Sequence, residues 1–197
     1  MSKLSHFLIG IPASGKSTFA QQLATITQGK IISTDAIRQK LYGDETVQGN
    51  WEDIEAEVIR QIQTAIAQNQ PVIYDATNAK RAWRMAILLK LNQHEPLQNI
   101  DWMAWYLKPN LATCLQRNRN RERIVPREVI EGMDDALNRF PPIPAEGFIA
   151  VETLKEDNWN LDTIQTRLDK LPRRIVNRQN RTQHQNTCFH AYSHLLD

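Results

Sequence analysis

The sequence predicts an α/β fold, a parallel sheet covered by helices on both faces, on three observations. Short apolar runs alternate with stretches of ten or more residues whose apolar positions recur every three or four. Glycine and proline punctuate the boundaries between them. A glycine-rich loop stands between the first run and the first helical stretch. Such alternation specifies right-handed crossovers between parallel strands, and ligands in these sheets bind at the carboxyl ends of the strands.

The first strand is read at His6 to Gly10, a buried apolar run ended by Gly and Pro. Thr18 to Thr27 places Phe19, Leu23 and Ile26 on one helical stripe ending near Gly29. Lys30 to Asp35 is β-rich. Trp51 to Gln68 is helical, with Trp51, Ile54, Val58, Ile62 and Ile66 in register, and stops before Pro71. Val72 to Tyr74 is the next strand. Ala79 to Gln93 is helical with Trp83, Ile87 and Leu91 facing the core, and Ile100 to Leu107 is an aromatic-rich strand ended by Pro109. Pro126 to Phe140 is a helix with Val129, Met133, Ala136 or Leu137, and Phe140 on one face; Phe148 to Leu154 is the last strand. Leu161, Ile164, Leu168 and Leu171 mark a short amphipathic helix before Pro172.

Composition narrows the class. The chain has 197 residues, 41% hydrophobic and 23% charged, which is ordinary globular usage able to bury a core without metal or disulfide staples. Cys114 and Cys188 are read as spare thiols of a reducing, cytoplasmic environment. No apolar run approaches the length of a membrane span, so membrane insertion is excluded. The net charge of +2 argues neither for nor against a polyanionic partner, but its distribution is uneven. Arg117, Arg119, Arg121, Arg123 and Arg127 stand against Glu122 alone, and Lys170 to Asp197 holds five basic residues against Asp197.

Gly10-Ile11-Pro12-Ala13-Ser14-Gly15-Lys16-Ser17 is a full Gly-x4-Gly-Lys-Ser phosphate loop in its required strand-to-helix context. Its glycines permit a tight turn whose N–H groups point inward, and the helix that follows adds its positive end, so Gly10, Ala13, Ser14, Gly15 and Thr18 are read as lining an anion site. Lys16 supplies charge between β- and γ-phosphates, and Ser17 is placed to hold Mg²⁺. Val72-Ile73-Tyr74-Asp75 ends in a carboxylate suited to the metal's water shell. Ala76 follows it, where hydrolytic motors commonly carry a water-activating Glu. The alternative for Asp75 is a strand-end turn residue.

Asp35 is placed to take a proton from an attacking hydroxyl, with Arg38, three residues on, fixing an anionic substrate group; a helix N-cap is the plainer role for Asp35. The run from Arg117 to Arg123 reads either as a solvated face or as a lid closing over ATP, favoured by its four arginines, with Arg127 a fifth just beyond and no lysine among them, and by Val125-Pro126 at its end.

Gly10 to Thr18, Ser33-Thr34-Asp35 with Arg38, Val72 to Asn78, Arg84, and Arg117-Asn118 through Arg123 with Val125-Pro126 and Val129-Ile130 resemble the 5′-polynucleotide kinase family of phosphate-loop phosphotransferases, related to zeta-toxin-type and small-metabolite kinases. The resemblance runs over about residues 5 to 155 and implies a P-loop NTPase-type three-layer sandwich with about five parallel strands and an Arg-rich helical lid at about 112–140. It implies ATP and Mg²⁺ as cofactors, Asp35 as general base and Arg38 as substrate-phosphate ligand. It places Arg119 or Arg123 of the lid, with Arg117, on ATP phosphates, and Asp75, Thr77, Asn78 and Arg84 toward the substrate. No second phosphatase domain with an Asp-x-Asp nucleophile is present in the sequence.

The kinase domain is expected over 1–156 and a helical, basic tail over 157–197. Arg173 to Gln185 reads as a linker or a nucleic-acid-binding arm, and His184, Cys188, His190 and His194 fit no structural zinc spacing. The leading expectation is a kinase acting on the 5′-hydroxyl of a nucleic acid. The alternatives are a kinase for a small metabolite or sugar nucleotide, and a non-catalytic ATP-binding module that regulates another domain.

Overall fold

The computed structural model of the protein describes residues 4–155 and 159–171; the basic tail and its Cys188 and histidines lie outside the described residues. Its strands are β1 (Leu4–Ile9), β2 (Lys30–Ser33), β3 (Val72–Asp75), β4 (Asp101–Leu107) and β5 (Phe148–Leu154). They form one parallel sheet in the order β2-β3-β1-β4-β5. The helices are α1 (Lys16–Thr27), α2 (Thr34–Tyr42), α3 (Trp51–Ala67), α4 (Arg81–Asn92), α5 (Leu111–Arg119), α6 (Arg127–Arg139) and α7 (Leu161–Asp169). The expected three-layer sandwich is therefore the observed architecture.

Side chains alternate across the pleat, so each strand feeds both cores. Leu8, Ile73, Met103 and Trp105 pack on Phe19 and Leu23 of α1 and Ile164 of α7. Phe7, Ile9, Tyr74, Ala104 and Tyr106 face the other way, against α2 to α6. Phe7 sits edge-on to Tyr74, Trp102 and Phe148, with ring centroids 5.1, 6.0 and 5.2 Å away, geometries worth about 0.5–1.5 kcal/mol each beyond area burial. His6 accepts a hydrogen bond from Trp105 Nε1 at 3.2 Å, and burial pushes its pKa down to about 3, which keeps the ring neutral.

Three elements differ from the sequence expectation in ways that matter for the site. The second strand stops at Ser33, whose hydroxyl accepts from Ala36 N at 3.4 Å and caps α2. Asp35 is thus not the cap; it stands in the first helical turn, where a negative charge complements the helix dipole. On α4 Ile87 and Leu91 face the core as expected, joined by Leu88, but the first turn buries Arg84 in place of Trp83, which is 48% exposed. Likewise Ile130 and Leu137 carry the buried face of α6, and the expected Val129 and Phe140 are exposed. In both helices the competing position lies one residue away, so periodicity alone leaves the choice open.

Arg84 departs furthest from expectation. Its guanidinium is fully buried and gives Nε to Glu146 Oε2 at 2.6 Å, Nη2 to Glu146 Oε1 at 2.8 Å and to Phe140 O at 2.9 Å, and Nη1 to Asn78 O and Ala79 O at 3.2 and 3.0 Å. All five donors of the fork are used within the protein, so the expected substrate contact is replaced by a structural one. The pair ties α4 to the segment before β5, and the two Nη1 bonds hold the loop after β3 to the same guanidinium. Arg84→Met leaves the buried Glu146 carboxylate with only the longer contact to Arg81 Nε at 3.5 Å and should lower unfolding free energy by about 3 kcal/mol in urea titrations. A loss no larger than that of an exposed ion pair would contradict this assignment.

Candidate active site

The loop from Gly10 to Gly15 leaves β1 and enters α1 without a spacer, because the helix begins at Lys16 rather than at the expected Thr18. Ala13 and Gly15 take left-handed backbone conformations, φ 61° and 93°, which fold the loop into a concave turn. Gly10 is required by close approach: a Cβ there would lie 2.6 Å from Ser14 Oγ and 2.8 Å from Leu107 O. Its N–H donates to Thr77 O at 3.1 Å, which anchors the turn to the loop after β3. Lys16 Nζ donates to Gly10 O and Ile11 O, both at 2.9 Å, so the ammonium lies folded over the turn. Burial lowers its pKa, and the carboxylates of Asp75 and Asp35 oppose that shift.

Parallel pairing brings the carboxylates together. Ser33 of β2 is in register with Asp75 of β3, which puts the start of α2, and with it Asp35, beside the end of β3. Asp75 is 6% exposed; burial raises its pKa, opposed by Lys16 and by a hydrogen bond from the Ser17 side chain. A hydroxyl and a carboxylate bonded to one another at the edge of an anion cradle are hard oxygen donors, a set that fits Mg²⁺ sharing phosphate oxygens and water. Thr77 lends its carbonyl to the turn. Asn78, expected to face substrate, is instead buried at φ 52° with Nδ2 donating to Leu8 O at 2.7 Å, which pins this loop to β1.

The arginine run is divided among separate tasks. Arg117 is half-buried and Arg119 exposed, both in the last turn of α5. Arg121 lies near enough to Lys16 for its charge to lower the ammonium's pKa further. Arg123 Nη1 stands 3.2 Å from Asp35 Oδ2, and Arg38 Nη1 donates to Asp35 Oδ1 at 2.9 Å. Arg38 Nε is buried without a hydrogen-bond partner. Two residues to which the sequence reading gives no role shape this region. Asn118, 4% exposed, clamps Val125 through its N–H and C=O at 3.0 and 2.8 Å and so closes the loop that carries Arg121 and Arg123. Trp159 lies 3.4 Å from where a Gly15 Cβ would be and packs edge-on to Phe19. An Asn inside an arginine run signals a loop clamp; nothing in sequence ties Trp159 to the turn. Lys108, at the end of β4, bonds Asn138 of α6 and serves packing.

A phosphate-binding turn opening a helix, flanked by carboxylates at two neighbouring strand ends, defines a P-loop nucleotide-binding protein with the fold of P-loop kinases. The chain belongs to the AAA domain family, whose model matches residues 6–140. Its fold is similar to that of a protein from Chloroflexus aurantiacus j-10-fl assigned as a kinase, at TM-score 0.65 and 16% identity over 87% of this chain and 99% of that one. Chaetomium thermophilum Kti12, solved with ADP-AlF3, matches at TM-score 0.59 and 19% identity over 86% of this chain and 100% of that one. A chain of the Pnkp1/Rnl/Hen1 RNA repair complex matches at TM-score 0.57 and 19% identity, covering 71% of this chain and 46% of that one. Among the described residues no helix is long and apolar enough to cross a membrane.

The raised pKa of Asp75 has a consequence for stability. The folded state binds that proton more tightly than the unfolded chain, so the ionised carboxylate costs stability at neutral pH, and the cost fades as pH falls through the folded-state pKa. Asp75→Asn should therefore melt at a higher temperature than the parent at neutral pH, with the gap closing on acidification. An equal or lower melting temperature at neutral pH would contradict it.

Proposed function

We propose that this protein is an ATP- and Mg²⁺-dependent phosphotransferase that moves the γ-phosphoryl group to a substrate hydroxyl. The observation that carries the reading is the convergence of the Lys16 turn, the Ser17–Asp75 pair and the Asp35 carboxylate at the ends of three adjacent strands. In this reading Gly10, Ala13, Ser14, Gly15, Lys16 and Thr18 bind the ATP phosphates through inward N–H groups and the lysine charge. Ser17 and Asp75 hold the metal, whose charge screens the phosphates when bound. Asp35 accepts the hydroxyl proton. Arg38, with an unused buried donor, fixes an anionic group of the acceptor. Arg117 and Arg119 reach ATP phosphates from the end of α5, and Arg121 and Arg123 neutralise charge on the transferred group.

The acceptor read first is the 5′-hydroxyl of a polynucleotide, on the strength of the motif resemblance and the Arg38 donor; a small metabolite or sugar nucleotide is second. ATP labelled in its γ-phosphate, offered with 5′-hydroxyl DNA, RNA and a metabolite pool, separates the two by which species becomes labelled. Asp35→Asn should abolish that transfer and spare ATP affinity. Retained transfer refutes Asp35 as base. Gly10→Ala, which drives a methyl group against Ser14 and the Leu107 carbonyl, should weaken ATP binding by about fivefold or more in calorimetry, the factor that a strain of about 1–3 kcal/mol carries. Parent-like affinity in that variant would refute this role for the turn.

A further inference from the structure

The sheet order sets the side of the phosphate turn on which the rest of the donor lies. The turn follows β1, and in the order β2-β3-β1-β4-β5 both carboxylates stand on one side of it, Asp75 ending β3 and Asp35 starting the helix after β2. Phosphoryl transfer keeps the attacking and leaving oxygens roughly in line across phosphorus. An acceptor beside Asp35 therefore directs the leaving diphosphate, and the nucleoside it carries, to the other side of β1, where β4, β5 and α7 lie.

Trp159 stands on that side. It directly precedes Asn160, which caps α7 by accepting from Thr163 N at 2.9 Å while its own N–H donates to Thr163 Oγ1 at 2.8 Å. The helix it introduces is anchored by the fully buried Ile164. Its Cζ2 lies 3.4 Å from where a Gly15 Cβ would be, and its ring stands at 87° to that of Phe19 with centroids 5.1 Å apart. Phe19 packs in turn on Trp105, also at 5.1 Å. The indole is thus fixed by the core on one flank and touches the turn on the other. Unlike Phe19 and Trp105, which are fully buried, it remains half-buried. Ser17 and Thr18, which follow the turn, are exposed, so the helix start beside the indole is open to solvent.

We propose that Trp159 is a specificity-determining residue whose indole supplies a stacking face for the nucleobase of the phosphoryl donor. This rests on the reading of the turn as an ATP site given above. The N–H groups of the turn and the Lys16 ammonium recognise phosphates alone, and by themselves they hold a bare polyphosphate as readily as a nucleotide. An aromatic face beside the turn separates the two, because a base stacked on it adds contact that a polyphosphate lacks.

Calorimetric titration of the full chain with ATP and with inorganic tripolyphosphate, each in the presence of Mg²⁺, tests this. Trp159→Leu keeps an apolar side chain against Phe19 and removes the π-face. It should weaken ATP binding by about fivefold or more, the factor carried by stacking of one base, and leave tripolyphosphate affinity as in the parent. Trp159→Phe should retain most of the ATP affinity. Parent-like ATP affinity in Trp159→Leu, an equal loss for both ligands, or a Trp159→Phe defect as large as that of Trp159→Leu would each overturn the proposal; the equal loss is what mere support of Gly15 would produce. A parent that binds neither ligand refutes the reading of the turn itself. A parent that binds both, with Trp159→Leu unimpaired, leaves that reading standing and removes only the role of Trp159.

Discussion

The attraction between Lys16 and the buried Asp75 carboxylate organises the molecule's chemistry. Each group is costly where it stands, since burial lowers the lysine pKa and raises the aspartate pKa, and each reduces the other's cost. The compensation is incomplete, which leaves both side chains with unspent electrostatic demand facing the same edge of the sheet. A polyanion with a divalent cation satisfies both at once, the anion meeting the lysine and the cation the carboxylate. Placement follows from β1 and β3 being neighbours, so that a turn after one and a carboxylate ending the other meet.

The surroundings are built to hold that edge still. Gly10 N–H to Thr77 O and Asn78 Nδ2 to Leu8 O tie the two strand-end loops to each other's strands. Arg84 and Glu146, both fully buried, fasten the same loop to the segment ahead of β5. Rigid support here contrasts with the segment from residue 119 to 124, held chiefly by the Asn118 clamp and by ion pairs to half-exposed carboxylates. A fixed phosphate site beside a weakly tethered arginine loop is the division of labour expected of a phosphotransferase that must shut out water and then release product.

Sequence resemblance and structure agree best where geometry is local. The Gly-x4-Gly-Lys-Ser turn, the strand ending at Asp75 and the placement of Asp35 and Arg38 on one helical face depend on residues a few positions apart, and chain stereochemistry leaves them few arrangements. Agreement fails where a residue type serves two ends equally well. An arginine in a kinase-like motif suits a substrate phosphate, yet Arg84 spends every donor inside the fold; an asparagine near a strand end suits an acceptor, yet Asn78 is a loop pin.

By itself the amino-acid sequence determined the alternation of strands and helices, the parallel sheet, the phosphate turn and the two carboxylates near it, since hydrophobic period and short motifs are properties of neighbouring residues. Tertiary structure alone decided the first buried position on α4, the buried face of α6, the partner of Arg84, the approach of Trp159 to Gly15, and which arginine of the run reaches Asp35. Each of these joins positions distant along the chain, and the choice among chemically equivalent partners is made by packing, which no periodicity records.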